Sequence, residues 1–167
     1  MSLFLITFFY FIACPAGYFL LFFLFPYFFN QSFPQASWQS LKSILLIIFI
    51  TFASFMISAA ILDEEISNRV LHVFAGGLNL FIICYLAARD SRVKITKIQF
   101  VFFSILVVNF FGVANEVAEF FGHNYLQLVF APNINDTWLD LISNLFGSIV
   151  GVLVLSPFLN RFSLSRE

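Results

Sequence analysis

Charge is scarce in this sequence: Asp, Glu, Lys and Arg make up 10% of its 167 residues, and 8 basic against 9 acidic groups leave a net charge of −1. A nucleic-acid partner would require a basic face, so that class of function is excluded. Cysteine is sparse too. Cys14 and Cys84 both fall inside apolar runs, where a thiol behaves as a small buried hydrophobe. No cysteine pair has the spacing of a structural zinc site, and no disulfide framework is indicated. What the chain has in excess is hydrocarbon, with 61% hydrophobic residues, Phe at 27 positions and a mean hydropathy of +0.97. That composition belongs in lipid.

Five apolar stretches, at about 3–29, 41–62, 70–88, 98–121 and 138–159, are each of a length to cross the hydrocarbon core as a helix. They are continuous rather than alternating, which argues against barrel strands. The expected fold is all-α, a polytopic bundle of five transmembrane helices forming a single membrane domain over residues 1–167. The first stretch carries Pro15, Gly17 and Pro26, so a kink or a break near Pro15 is expected. It has no Lys or Arg ahead of it and is longer than a signal-peptide core, which predicts a retained span.

The basic residues set an expected orientation. Lys42, the group Arg89, Arg92, Lys94 and Lys97, and the tail residues Arg161 and Arg166 share one side of a five-span chain, while Arg69 alone falls on the other. The positive-inside rule then places the N-terminus outside, the C-terminus in the cytoplasm and the protein in the inner, or cytoplasmic, membrane. The acidic turn Asp63-Glu64-Glu65 and the segment 122–137 would face outward.

Helical spacing gathers the few polar residues into stripes. Asn109, Gly112, Glu116, Glu119 and His123 recur at i, i+3, i+7, i+10 and i+14, which places them along one narrow face. Asp136, Asp140, Asn144, Gly147 and Gly151 form a second stripe, and Asn68, His72, Gly76 and Asn79 a third. Thr51, Ser54 and Ser58 offer a weaker fourth, suited to interhelical hydrogen bonds. The first three stripes end at the same expected outer rim. Ionisable groups are expensive in hydrocarbon, so a set at matching depth points to a site facing the bundle interior.

Some of these residues also have plain structural readings. Gly147 and Gly151 make a small-xxx-small surface for close helix approach. Asp136 before Thr137 is placed as a helix cap, and Thr137 with Asp140 matches a capping box. Glu116 and Glu119 lie too far inside their span for capping to account for them. The expected ligand-binding set is therefore His72, Glu116, Glu119, Asp136, Asp140 and Asn144. Within the polar rim, Glu116, Glu119, His123 and Asp140 are the expected ligands of a divalent metal cation, built in space from separate helices.

Three uses of such a site remain open at this stage. One is a binding module for a cation, or for the headgroup of an envelope lipid or lipid-linked envelope precursor. Another is a metal-dependent hydrolase acting at the outer leaflet. The last is a small proton-coupled transporter, which would need a water path past Asn109 and Asn79. The abundance of Phe predicts that this lower half is sealed.

The run Asn115-Glu116-Val117-Ala118-Glu119, followed by Asp136-Thr137-Trp138-Leu139-Asp140-Leu141-Ile142-Ser143-Asn144 and then Gly147 and Gly151, resembles the small bacterial membrane proteins described as YjdF-like or VanZ-like. In those proteins Glu-x-x-Glu at the end of one span precedes Asp-Thr-x-x-Asp-Leu and a Gly-x-x-x-Gly on the next. His72 with Gly76 is similar to the family's His-x-x-x-Gly on an earlier span. The resemblance covers roughly the C-terminal 100 residues and implies a cell-envelope role, VanZ-like proteins being associated with low-level glycopeptide resistance. This chain departs from the pattern at Asn115, where relatives often carry an aromatic, and at Asn144, which stands at an acidic position.

Overall fold

The computed structural model describes the backbone of residues 3–126 and 134–159, and the side chains of residues 10–125 and 135–159. Arg161, Arg166 and the stretch 127–133 of the expected outer segment lie outside the described residues. The elements are α1 (Leu3–Phe28), α2 (Trp38–Ala59), α3 (Glu64–Leu71), a π-helical segment (His72–Leu78), α4 (Asn79–Asp90), α5 (Lys97–Leu126) and α6 (Ile134–Leu155). The segments α3, π and α4 form one continuous rod, so the fold is all-α with five helices long and apolar enough to cross a membrane among the described residues. Many outward side chains are bare hydrocarbon, among them Phe49, Phe52, Phe102, Phe110, Phe146 and Leu153. A water-facing surface rarely carries so many.

Local chemistry sets the helix ends. The Ser37 hydroxyl accepts from the Gln39 N–H at 3.2 Å while the Ser37 N–H donates to the Ser40 hydroxyl at 3.3 Å, closing a capping box that starts α2. Asp63 caps α3 by accepting from the Ile66 N–H at 2.9 Å. The third rod therefore begins at Glu64 rather than Val70, and the expected acidic turn is its cap and first turn. Carboxylates there meet the positive end of the helix dipole. Pro15 and Pro26 both lie inside α1, which runs unbroken past them; the break expected near Pro15 is absent, with α1 packed against α2 and α4.

The closest helix approach joins the π segment to α6. A Cβ added to Gly77 would lie 2.6 Å from the Gly147 Cα, and one added to Gly147 would overlap the Val73 carbonyl oxygen. Two backbones meet here with no side chain between them. The π turn, in which the Asn79 N–H reaches back to the Phe74 carbonyl, adds one residue to the turn beside this crossing. His72 stands at the start of that wide turn, and its placement opposite α6 follows from the glycine contact.

The two ends of the bundle differ. At the end carrying the α3 cap, side chains from three helices form a polar group. At the opposite end, buried Asp90 accepts hydrogen bonds from Tyr18 at 2.7 Å, from Ser43 and from Arg89 at 2.8 Å, fastening α1, α2 and α4 together. Above it the core is aromatic: Phe25 of α1 lies 4.8 Å from Phe103 and 6.3 Å from Phe100 of α5, and Phe81 and Tyr85 of α4 close on Phe100 from the other side. Between the ends, Asn79 donates to the Thr51 hydroxyl at 2.8 Å, and Ser58 and Ser67 exchange hydrogen bonds. Thr51 and Ser58 of the weak α2 stripe thus bond across helices, while Ser54 donates to the Ile50 carbonyl of its own helix.

Candidate metal and ligand site

His72 from the π segment, Glu116 from α5 and Asp140 from α6 converge, with one ligand atom of each within 4.8 Å of the other two. All three are buried, at 7%, 7% and 1% exposure. Each arrives for a separate structural reason. Asp140 lies two turns above Gly147 on the face that meets the π segment, His72 opens the widened turn, and Glu116 lies one turn beyond Gly112 on α5. The Asn144 side chain occupies the space between Gly76 and Gly112, where an added Cβ at Gly112 would stand 3.1 Å from its Nδ2. Glycine on both sides is what lets that amide fit.

The partners of the acids are unequal. Asp140 Oδ1 accepts from Arg69 Nη1 and from Asn68 Nδ2 at 3.2 Å, with His72 Nε2 at 3.4 Å. The same guanidinium pairs through Nη2 with Asp136 and donates to the Asp136 carbonyl at 3.3 Å. Arg69 is thereby a clamp spanning two carboxylates of α6 from α3. Glu116 is different: Thr137 of α6 and Asn115 lie near its carboxylate, yet neither oxygen makes a hydrogen bond of good geometry among the described residues, and the Asn144 Oδ1 is also unsatisfied. Buried acceptors are nearly always paired, and an unpaired carboxylate is among the most costly groups to leave dry.

A metal ion answers that cost. Nitrogen and carboxylate-oxygen ligands sit about 2.1 Å from zinc, so neighbours in its tetrahedral shell stand roughly 3.4 Å apart. The three ligand atoms, within 4.8 Å of one another, would draw together around a bound ion. One imidazole with two carboxylates suits zinc or manganese and leaves coordination positions free. Arg69 offsets one of the three negative charges of Asp136, Asp140 and Glu116, and a divalent cation would offset the remaining two.

Of the residues expected at the site, His72, Glu116 and Asp140 are together, Asp136 joins through Arg69, and Asn144 lines the space just below. Glu119 is half-buried and accepts from Asn115 at 2.7 Å, outside the triad. His123 is exposed near the end of α5 and is not brought in; two further turns of helix carry it past the rim. The capping readings of Asp136 and Asp140 give way as well. With α6 starting at Ile134, Asp136 lies in its first turn and turns sideways to Arg69, while Asp140 faces the bundle. Arg69 itself was missed as a site residue. Its signal was present, since it is a lone cation one residue after Asn68 and one turn before His72, opposite an acidic stripe.

Below the triad lies a cavity of about 280 Å³ bounded by α1, the third rod and α5, with Asn144 reaching in from α6. No family model, no curated protein and no solved structure matches the chain.

Proposed function

We propose that this chain is a multi-pass inner-membrane protein whose outward-facing site binds a divalent cation through His72, Glu116 and Asp140, and through that cation the anionic headgroup of an envelope lipid or lipid-linked precursor. The observation that carries the reading is the buried Glu116 carboxylate, without a hydrogen-bond partner and within ligand distance of an imidazole and a second carboxylate. Arg69 fixes Asp140 through Oδ1, the oxygen that also faces His72, as hydrogen-bonded outer partners do for metal-binding carboxylates. Orientation rests on the basic residues Lys42, Arg89, Arg92, Lys94 and Lys97 at the Asp90 end against Arg69 at the triad end. The envelope role rests on the α5–α6 motif and its resemblance to VanZ-like proteins.

The open coordination positions favour a second reading, a metal-dependent hydrolase in which the cation polarises a headgroup phosphoryl oxygen or activates water. The transporter reading is disfavoured by the packing of Phe25, Phe81, Phe100 and Tyr85, which closes the core between Asn79 and the Asp90 end. Elemental analysis of the detergent-purified protein tests the primary reading. About one divalent ion per chain is expected, with Glu116→Gln and Asp140→Asn weakening affinity by at least about 100-fold. Metal-free wild-type protein that gains no thermal stability from added zinc or manganese would overturn it.

A further inference from the structure

The cavity beneath the triad is not a sealed void. On one side it is bounded by α1 at Ala13 and Gly17, on the other by α5 at Gly112, Ala114 and Ala118. Small residues on facing helices normally mark a contact surface. Here no contact is made: a Cβ added at Gly17 meets nothing within 4 Å, and Ala114 and Ala118 are exposed. The two helices do meet at the Asp90 end, where Phe25, Phe28 and Phe29 surround Phe103. From that hinge of rings they diverge toward the triad end. The result is a wedge closed by aromatics at its narrow end and open sideways between α1 and α5.

We propose that this crevice takes one hydrocarbon chain of a membrane lipid whose anionic headgroup lies at the His72–Glu116–Asp140 site. This deepens the cation and headgroup reading above and rests on it. Four observations select that occupant. The opening lies at mid-span, so what reaches it sideways is acyl chain rather than water. Its walls are almost wholly carbon, which keeps water out of an apolar cavity. Polarity is confined to the triad end, where His72 and the unsatisfied Asn144 Oδ1 lie, giving the polar-then-apolar sequence of an amphiphile. The wall from Tyr10 to Gly17 is about 10 Å long at 1.5 Å per residue.

The test reconstitutes the full chain in phosphatidylglycerol vesicles containing a fraction of the same lipid with a photoactivatable diazirine midway along one acyl chain, with manganese binding measured on the same sample. Cross-links are expected on the peptides carrying Ala13–Gly17 and Gly112–Ala118, several-fold above those on the α2 peptide with Phe49 and Phe52, which faces lipid without a crevice. Gly17→Leu and, from the opposite wall, Ala118→Leu should each reduce cross-linking to the facing helix several-fold while manganese affinity stays within twofold. Labelling spread evenly over all lipid-facing segments would overturn the proposal, even with manganese bound. Protein–protein cross-links through the crevice that grow with protein density would assign it to a second copy and equally overturn it. Concentrated crevice labelling in a protein that binds no manganese would sustain the chain site and refute the cation reading alone.

Discussion

Glu116 combines two properties at the scale of a single residue that seldom coexist, deep burial and an unsatisfied carboxylate. They give its substitution opposite signs under two conditions. In chelator, Glu116→Met replaces an unpaired buried carboxyl by an apolar chain of similar size and is expected to raise stability by about 1–3 kcal/mol. With saturating zinc or manganese the wild type gains stability by linkage and the variant does not, so the order reverses. Thermal melts of both proteins with and without metal measure the crossover; parallel shifts in the two proteins would contradict it. Residue types and helical spacing were enough to place His72, Glu116 and Asp140 within a wider set of candidates, with His123 rather than His72 expected as the metal's imidazole. They could not separate Glu116 from Glu119 or His72 from His123, because a stripe of carboxylates gives no hint of which one a neighbouring amide will satisfy. Asn115 is that amide, and it takes Glu119.

At the scale of elements, the site depends on one crossing. His72 and Asp140 ride on the π segment and α6, which are held together at Gly77 and Gly147 with backbone against backbone. Gly147→Ala forces its Cβ onto the Val73 carbonyl and is expected to destabilise the bundle by about 1–3 kcal/mol and to weaken metal binding by moving His72 from Asp140. Gly151→Ala meets the Phe81 side chain, 2.8 Å from its ring and 3.0 Å from its Cβ, rather than backbone of the facing helix, and should be milder on both counts. Denaturation and metal titration of the two variants check the ranking. The sequence announced the Gly147–Gly151 surface but not its partner, since small-xxx-small spacing names one side of a contact. The π turn was not legible either; it arises from tertiary fit at the crossing rather than from any propensity in His72–Leu78.

At the scale of the whole molecule, five spans followed from continuous apolar length, which is the strongest signal a membrane protein carries. Span ends were less legible. Hydropathy cannot register a cap such as Asp63, so the first turns of α3 fell outside the expected span 70–88, and it discounts Asp90, whose charge is absorbed by Tyr18, Ser43 and Arg89. The basic residues at the Asp90 end predict a cytoplasmic location for that end. In intact cells, a membrane-impermeant maleimide is expected to label Glu65→Cys and to spare Lys94→Cys, both exposed positions, until the membrane is opened. The reverse pattern would invert the topology and place the triad inside.

The chain has two histidines, and only one of them belongs to the triad. Pulsed electron paramagnetic resonance of manganese bound to the purified protein reads nitrogen coupled to the ion. The account predicts one directly bound imidazole, lost in His72→Gln and unchanged in His123→Gln. Manganese that shows no nitrogen coupling, or coupling that disappears with His123 rather than His72, would contradict it.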